Sequence, residues 1–153
     1  MSKKTGVKPG DIVAIQLARE EYAVGLVLHV SALFKNAVMM GFYDILFASM
    51  EDISIEKLGG DFIDTPNYTG KQLITRGPWK VVGHSAKLLE ESTVPELRVA
   101  YTLYYKDQAL RQISTDEMKD YVALIGQGGL AVENKLRKYF TMNSTDPVSP
   151  SVP

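Results

Sequence analysis

The side chains best suited to acid–base or metal chemistry are two histidines, His29 and His84, and 18 aspartates and glutamates; the chain has no cysteine. Without Cys, disulfides, thiol nucleophiles and Cys-ligated zinc or iron–sulfur sites are excluded. Each histidine ends an apolar run with no second histidine or carboxylate cluster at a ligand spacing, so both read as strand-end residues and no metal or cofactor is expected. General acid–base catalysis needs a positioned pair, and the spacing of Asp61 and Asp64 does not by itself make one. No Gly-x-Ser-x-Gly nucleophile elbow occurs. Gly126-Gln127-Gly128-Gly129 superficially resembles a phosphate cradle, but Leu130-Ala131-Val132 follows where a Walker loop needs Lys and Ser or Thr. It reads as a connector between two helices, and no catalytic residue is assigned.

The chemistry left is that of non-covalent contact. Between Asp44 and Asp64 stand six acids, Asp44, Glu51, Asp52, Glu56, Asp61 and Asp64, against the single base Lys57. The bland reading is a solvated loop that keeps the protein soluble. The functional reading is a surface for a basic partner, where fixed carboxylates speed encounter and set register more than they add affinity. Phe47, Met50 and Phe62 within the stretch are available as apolar anchors. Tyr101, Tyr104 and Tyr105 form a second group; core packing accounts for Tyr101 and Tyr105, leaving Tyr104 on the opposite face as the contact residue. Lys135, Arg137 and Lys138 read as a solvated helix face diluted by Glu133.

These groups must be held by elements whose patterns are legible. Asp11–Leu17 follows the turn signal Lys8-Pro9-Gly10 and sets Ile12, Ala14 and Gln16 on one face against Val13, Ile15 and Leu17 on the other. Tyr22–His29 and Asn36–Tyr43 are further apolar, β-prone runs with short links, which predicts an antiparallel meander. Gly25, inside the second strand, marks a bulge or a close backbone approach. Beyond Asp44 the pattern loosens: Ile53, Ile55 and Leu58 suggest a short edge element, Phe62-Ile63 another, and Pro66–Gly70 a turn. Lys71–Ile74 fits either a helical turn or a short strand. Trp79–Gly83 is a strand, and Leu97–Tyr105 alternates as one strand that pairs with Ala109–Ile113 across a turn at Lys106–Gln108. Ser114 and Glu117 have capping-box spacing and predict a helix running to about Gly126. A second helix is expected over about Leu130–Tyr139, and residues 141–153, rich in Pro and Ser, as a disordered tail.

Composition sets the outer bounds. The chain has 153 residues, 45% hydrophobic and 23% charged, with a formal net charge of −1. That length suits one domain with a core large enough to need no staples. Near-neutral charge provides no global field for nucleic acid. The longest apolar runs, around Val24–Val30 and Ala37–Phe42, fall far short of a membrane span, and no secretory signal is visible, so a cytoplasmic protein is expected. The predicted class is α+β: mostly antiparallel β-sheet or a partly closed barrel, with two C-terminal helices.

Four segments in order resemble the immunity protein 26 family of bacterial polymorphic toxin systems: Lys8–Leu17, Tyr22–Leu28, Gly41-Phe42-Tyr43-Asp44 and Trp79-Lys80-Val81-Val82-Gly83. The resemblance runs from about Val7 to Gly83. It implies a β-rich, non-enzymatic, cytoplasmic inhibitor that binds a cognate toxin, with residues 1–140 forming one immunity-protein-like domain. The matched residues themselves look structural: Gly10 for a turn, Gly25 and Gly41 for strand irregularity, and Ile12, Ile15 and Trp79 for the core. Many such toxins are nucleases with cationic clefts, which a carboxylate-rich surface would fill. The toxin-binding residues expected are therefore Asp44, Glu51, Asp52, Glu56, Asp61, Asp64 and Tyr104, with no membrane and no direct nucleic-acid partner. The competing reading is a small β-barrel module that binds nucleic acid or a peptide through Tyr104, Lys106 and Arg111.

Overall fold

The computed structural model describes residues 6–148. Three β-prone runs become β1 (Asp11–Ala18), β2 (Glu21–Val30) and β3 (Ala37–Phe47), each antiparallel to the next, with Ile15 opposite Ala23 and Val27 opposite Met40. Gly10 opens the meander at φ +96, a conformation that favours glycine, and a Cβ there would meet the His84 ring at 2.6 Å. β5 (Lys80–His84) returns to pair with β1 at one edge of the sheet. At the other edge the expected turn over Pro66–Gly70 is instead a strand, β4 (Asn67–Gly70), whose Thr69 sits opposite Val38 of β3. The result is a six-stranded sheet in the order β5-β1-β2-β3-β4-β9, β9 being Gly126–Gln127.

Both faces of this sheet are covered, which is why its central strands are apolar on both sides. One face carries Val13, Ile15, Leu17, Val38 and Met40 with Trp79, and is closed by Val132, Leu136 and Phe140 of α3 (Gly129–Met142). The other carries Ile12, Leu26, Leu28, Met39 and Phe47. It is closed by Leu88 of α2 (Ala86–Glu91) and by Leu97. The one-turn α1 (Gln72–Thr75) resolves the Lys71–Ile74 segment as helical. α2 was not foreseen from the sequence, although its Ser85 N-cap accepts the Leu88 N–H at 3.1 Å.

The alternating run Leu97–Tyr105 is not one strand. It folds on itself as β6 (Glu96–Val99) and β7 (Thr102–Tyr105), with Ala100 at φ +53 in the turn. With β8 (Gln108–Gln112) these form a separate three-stranded antiparallel sheet. A two-residue turn makes Leu97 and Tyr104 cross-strand partners, so an odd and an even position share a face and the straight-strand alternation is lost at the turn.

Of the two expected C-terminal helices, the structure contains one. The capping box forms as read, with the Ser114 N–H donating to Glu117 Oε1 at 2.9 Å and the Glu117 N–H to Ser114 Oγ at 3.2 Å. Yet it starts only a 3₁₀ turn, Asp116–Asp120. Arg98 ends that turn, its Nε donating to the carbonyls of Met118 and Tyr121, both at 3.2 Å. The edge of β6 then captures the next residues: the Arg98 N–H donates to the Val122 carbonyl at 3.0 Å and the Leu124 N–H to the Arg98 carbonyl at 2.8 Å. Paired backbone cannot also be helical. Gly126-Gln127, expected as a helix connector, continues as β9, parallel to β4. Neither sheet closes into a barrel, and the architecture is α+β with mostly antiparallel sheets.

The stretch expected as a disordered tail is described as far as Val148, and there it is structured. α3 runs to Met142, and Val148 pairs with the end of β3, its N–H donating to the Leu46 carbonyl at 2.7 Å. Residues 149–153 lie outside the described residues.

Candidate binding surface

The acidic stretch leaves β3 and returns to β4 through two 3₁₀ turns and a run back alongside β3. Asp44 lies on β3 and is exposed, beside the Tyr139 hydroxyl of α3, whose pKa it raises by accepting its hydrogen bond. Glu51 and Asp52 lie on a 3₁₀ turn, Met50–Asp52, and Glu56 on a second, Ile55–Lys57. Ile53, between these turns, packs against the core in which Leu58, just after them, is buried, while Ile55 is exposed. The chain then runs back alongside β3, with Phe62 bridged to Tyr43 and the Ile63 N–H donating to the Phe42 carbonyl at 2.8 Å. Phe62 lies so close to Gly41 that a Cβ there would meet its ring at 2.6 Å.

Asp61 and Asp64 come together in one groove of about 510 Å³, walled also by Phe62, Thr65, Pro95 and Glu91. Glu91 ends α2 and adds a third carboxylate that sequence reading missed. Its only signal was the Ser85 cap, since three-dimensional proximity between residues 61 and 91 has no trace in local spacing. Glu91 lies near the Tyr43 hydroxyl, whose pKa is raised chiefly by burial, with the carboxylate adding to the rise. Asp64 is less free than its neighbours. Lys135 of α3 reaches it at 2.9 Å and holds its carboxyl below the usual range, aided by the Thr65 N–H.

Glu51 and Glu56 are exposed and Asp52 is half-buried, and none of the three forms an ion pair among the described residues. Tyr104 is placed differently. It packs edge-on against Phe34 with ring centroids 5.7 Å apart, on the side of the small sheet that also carries buried Leu97. Tyr105, on the opposite face, is the exposed tyrosine of that strand, with Lys106 Nζ 5.5 Å from its ring centroid. Arg111, the other half of the stacking platform, is paired with Glu117 at 3.2 Å. Both histidines lie beside a carboxylate. His29 Nε2 lies 3.1 Å from Asp107, and His84 Nδ1 3.1 Å from buried Asp11.

Fold and surface define a class: an α+β protein of mostly antiparallel sheet, its core sealed on both faces, with carboxylates on the turns between β3 and β4 and at the end of α2. The class narrows on comparison with known families. The chain belongs to the immunity protein 26 family, whose sequence profile matches residues 8–107. The match takes in β1 to β7, reaching past the motifs of the first 83 residues to the tyrosine-bearing hairpin, and stops short of α3. No curated protein and no solved structure matches the chain. Membership makes this an immunity protein, of a family that is generally non-enzymatic and that implies a toxin as partner. No helix among the described residues is long and apolar enough to cross a membrane.

Proposed function

We propose that the protein binds a cognate bacterial toxin in the cytoplasm and neutralises it stoichiometrically, covering the toxin's active site with the acidic surface between β3 and β4. The observation that supports this reading most is the groove in which Asp61, Asp64 and Glu91 converge around Phe62. Carboxylates gathered from two separate segments concentrate negative potential more than any one loop does, and that potential steers a cationic partner. The half-buried ring of Phe62 supplies apolar area at the centre of such a contact.

A nuclease is the toxin class that fits this charge. Its substrate cleft must be cationic to hold phosphates, and a row of carboxylates occupies such a cleft while offering nothing to cleave. The inhibitor then needs no catalytic residue, no cofactor and no contact with nucleic acid. Exposed Glu51 and Glu56, with half-buried Asp52, extend the same negative surface; Asp44 adds to it from β3.

The test is a titration of the purified protein against the toxin domain encoded in the adjacent reading frame. A one-to-one complex that abolishes toxin activity is expected. A protein that leaves the toxin active at saturating concentration has another role.

A further inference from the structure

Between α3 and the β3–β4 edge lies a cavity of about 290 Å³, walled chiefly by Met40, Phe42, Ile63, Val132, Leu136 and Tyr139. Two polar side chains at its β4 end, Thr69 and Asn67, are already engaged. Thr69 donates its hydroxyl to the Gln127 carbonyl at 2.8 Å, and Asn67 donates to the Ala123 carbonyl at 2.9 Å while accepting the Ile125 N–H at 3.0 Å. What the cavity offers a visitor is its apolar wall. A dry cavity of about 150 Å³ is enough to accept benzene, so this one has room for a bicyclic ring such as indole.

Its charged lining residues are Asp64 and Lys135, paired at 2.9 Å and both substantially exposed. They mark the mouth, and an ion pair in that much water is easily exchanged. Asp64 and Thr65 are walls of the acidic groove as well, so cavity and groove adjoin. An apolar socket opening beside a carboxylate cluster has the anatomy of an interface hot spot: a desolvated anchor point ringed by charge.

We infer that this cavity receives one aromatic side chain of the toxin, carried next to an arginine or lysine that takes Asp64 in exchange for Lys135. Arginine suits the exchange best, since its planar fork meets a carboxylate through two parallel hydrogen bonds. The inference rests on the toxin-neutralising reading and adds the chemistry of the residue that docks. It also assigns a role to α3, which supplies half of the socket from outside the stretch that matches the family.

Indole is the probe. It is expected to bind the free protein one to one, to perturb the amide NMR signals of Val132, Leu136 and Met40, and to be displaced by the toxin domain. Val132→Phe, which fills the socket, is expected to weaken both indole and toxin by about tenfold or more, about 1.4 kcal/mol. The wild-type displacement measurement decides the matter if that variant does not fold. Failure of indole to bind overturns the inference. So does an active-site-blocking complex in which indole remains bound with unchanged affinity; that outcome leaves the inhibitory function intact. If indole binds but the toxin domain neither binds nor is inhibited, the proposed function fails, and the inferred occupant with it.

Discussion

Ser31 donates its hydroxyl to Asp107 at 2.6 Å, across 76 positions of chain. The Ala32 N–H binds the second carboxylate oxygen at 2.7 Å, and His29 Nε2 lies 3.1 Å from the first. One side chain in the β7–β8 turn therefore clamps the small sheet onto the β2–β3 loop. Burial works against the charged carboxylate, but the Ser31 hydroxyl and the Ala32 N–H donate to it and His29 lies beside it, and together they outweigh burial and hold the Asp107 pKa at about 2. Tyr68, buried nearby, is pushed up to about 12 by its own desolvation and by the Asp107 charge.

The sign of the pH effect follows. A carboxylate depressed in the folded state stabilises the fold above its ordinary pKa and ceases to do so as pH falls toward 2. Denaturation midpoints should therefore drop between pH 4 and pH 2 in the wild type. Asp107→Asn should lose about 1–2 kcal/mol at neutral pH, allowing for the partial exposure of the site. It should also show a smaller fall over that acid window. Equal pH slopes in the two proteins would mean that the clamp is not electrostatic.

A second clamp joins α3 to the sheet. Trp79, fully buried, donates its indole N–H to Glu133 Oε2 at 2.9 Å, while Arg137 Nε donates to the Leu17 carbonyl at 2.7 Å. Glu133→Ala strands a buried donor and should cost about 1–3 kcal/mol. Trp79→Ala removes the largest core side chain and should cost about 3–5 kcal/mol. In a Trp79→Phe background the Glu133 substitution should cost markedly less, which a double-mutant cycle in urea would measure.

Arg98 carries the third prediction. Replacing it with Ala removes the side-chain donor from the carbonyls of Met118 and Tyr121, though the backbone pairing with Val122–Leu124 is retained. Amide exchange should accelerate across Tyr121–Leu124, with a stability loss of about 1 kcal/mol. Unchanged protection there would show that the β6 edge alone holds the segment extended.

Charge reversal separates the two acidic surfaces. Lysine at Asp61 and Glu91 tests the groove, and lysine at Glu51, Asp52 and Glu56 tests the turns. The set that faces the toxin should slow association by about tenfold and flatten its salt dependence. The other set should change little, so the pair of association-rate measurements maps the contact. If both sets left association untouched, electrostatic steering would be the wrong mechanism.

Local pattern determined the meander, the burial of Ile12, Ile15 and Trp79, the capping box at Ser114 and the acidic composition of 44–64, because each is written in residues a few positions apart. Family resemblance added the class of partner. Only the tertiary structure decided the rest, since the deciding contacts join distant segments. A helix begun correctly at Ser114 stops because Arg98 takes its carbonyls and the β6 edge takes the next residues. The facing of Tyr104 depended on a turn at Ala100 that reverses strand parity. Carboxylates at 61 and 91 became neighbours, and Lys135 came to Asp64, because α2 and α3 pack near one bend of chain, a proximity that no spacing in the sequence encodes.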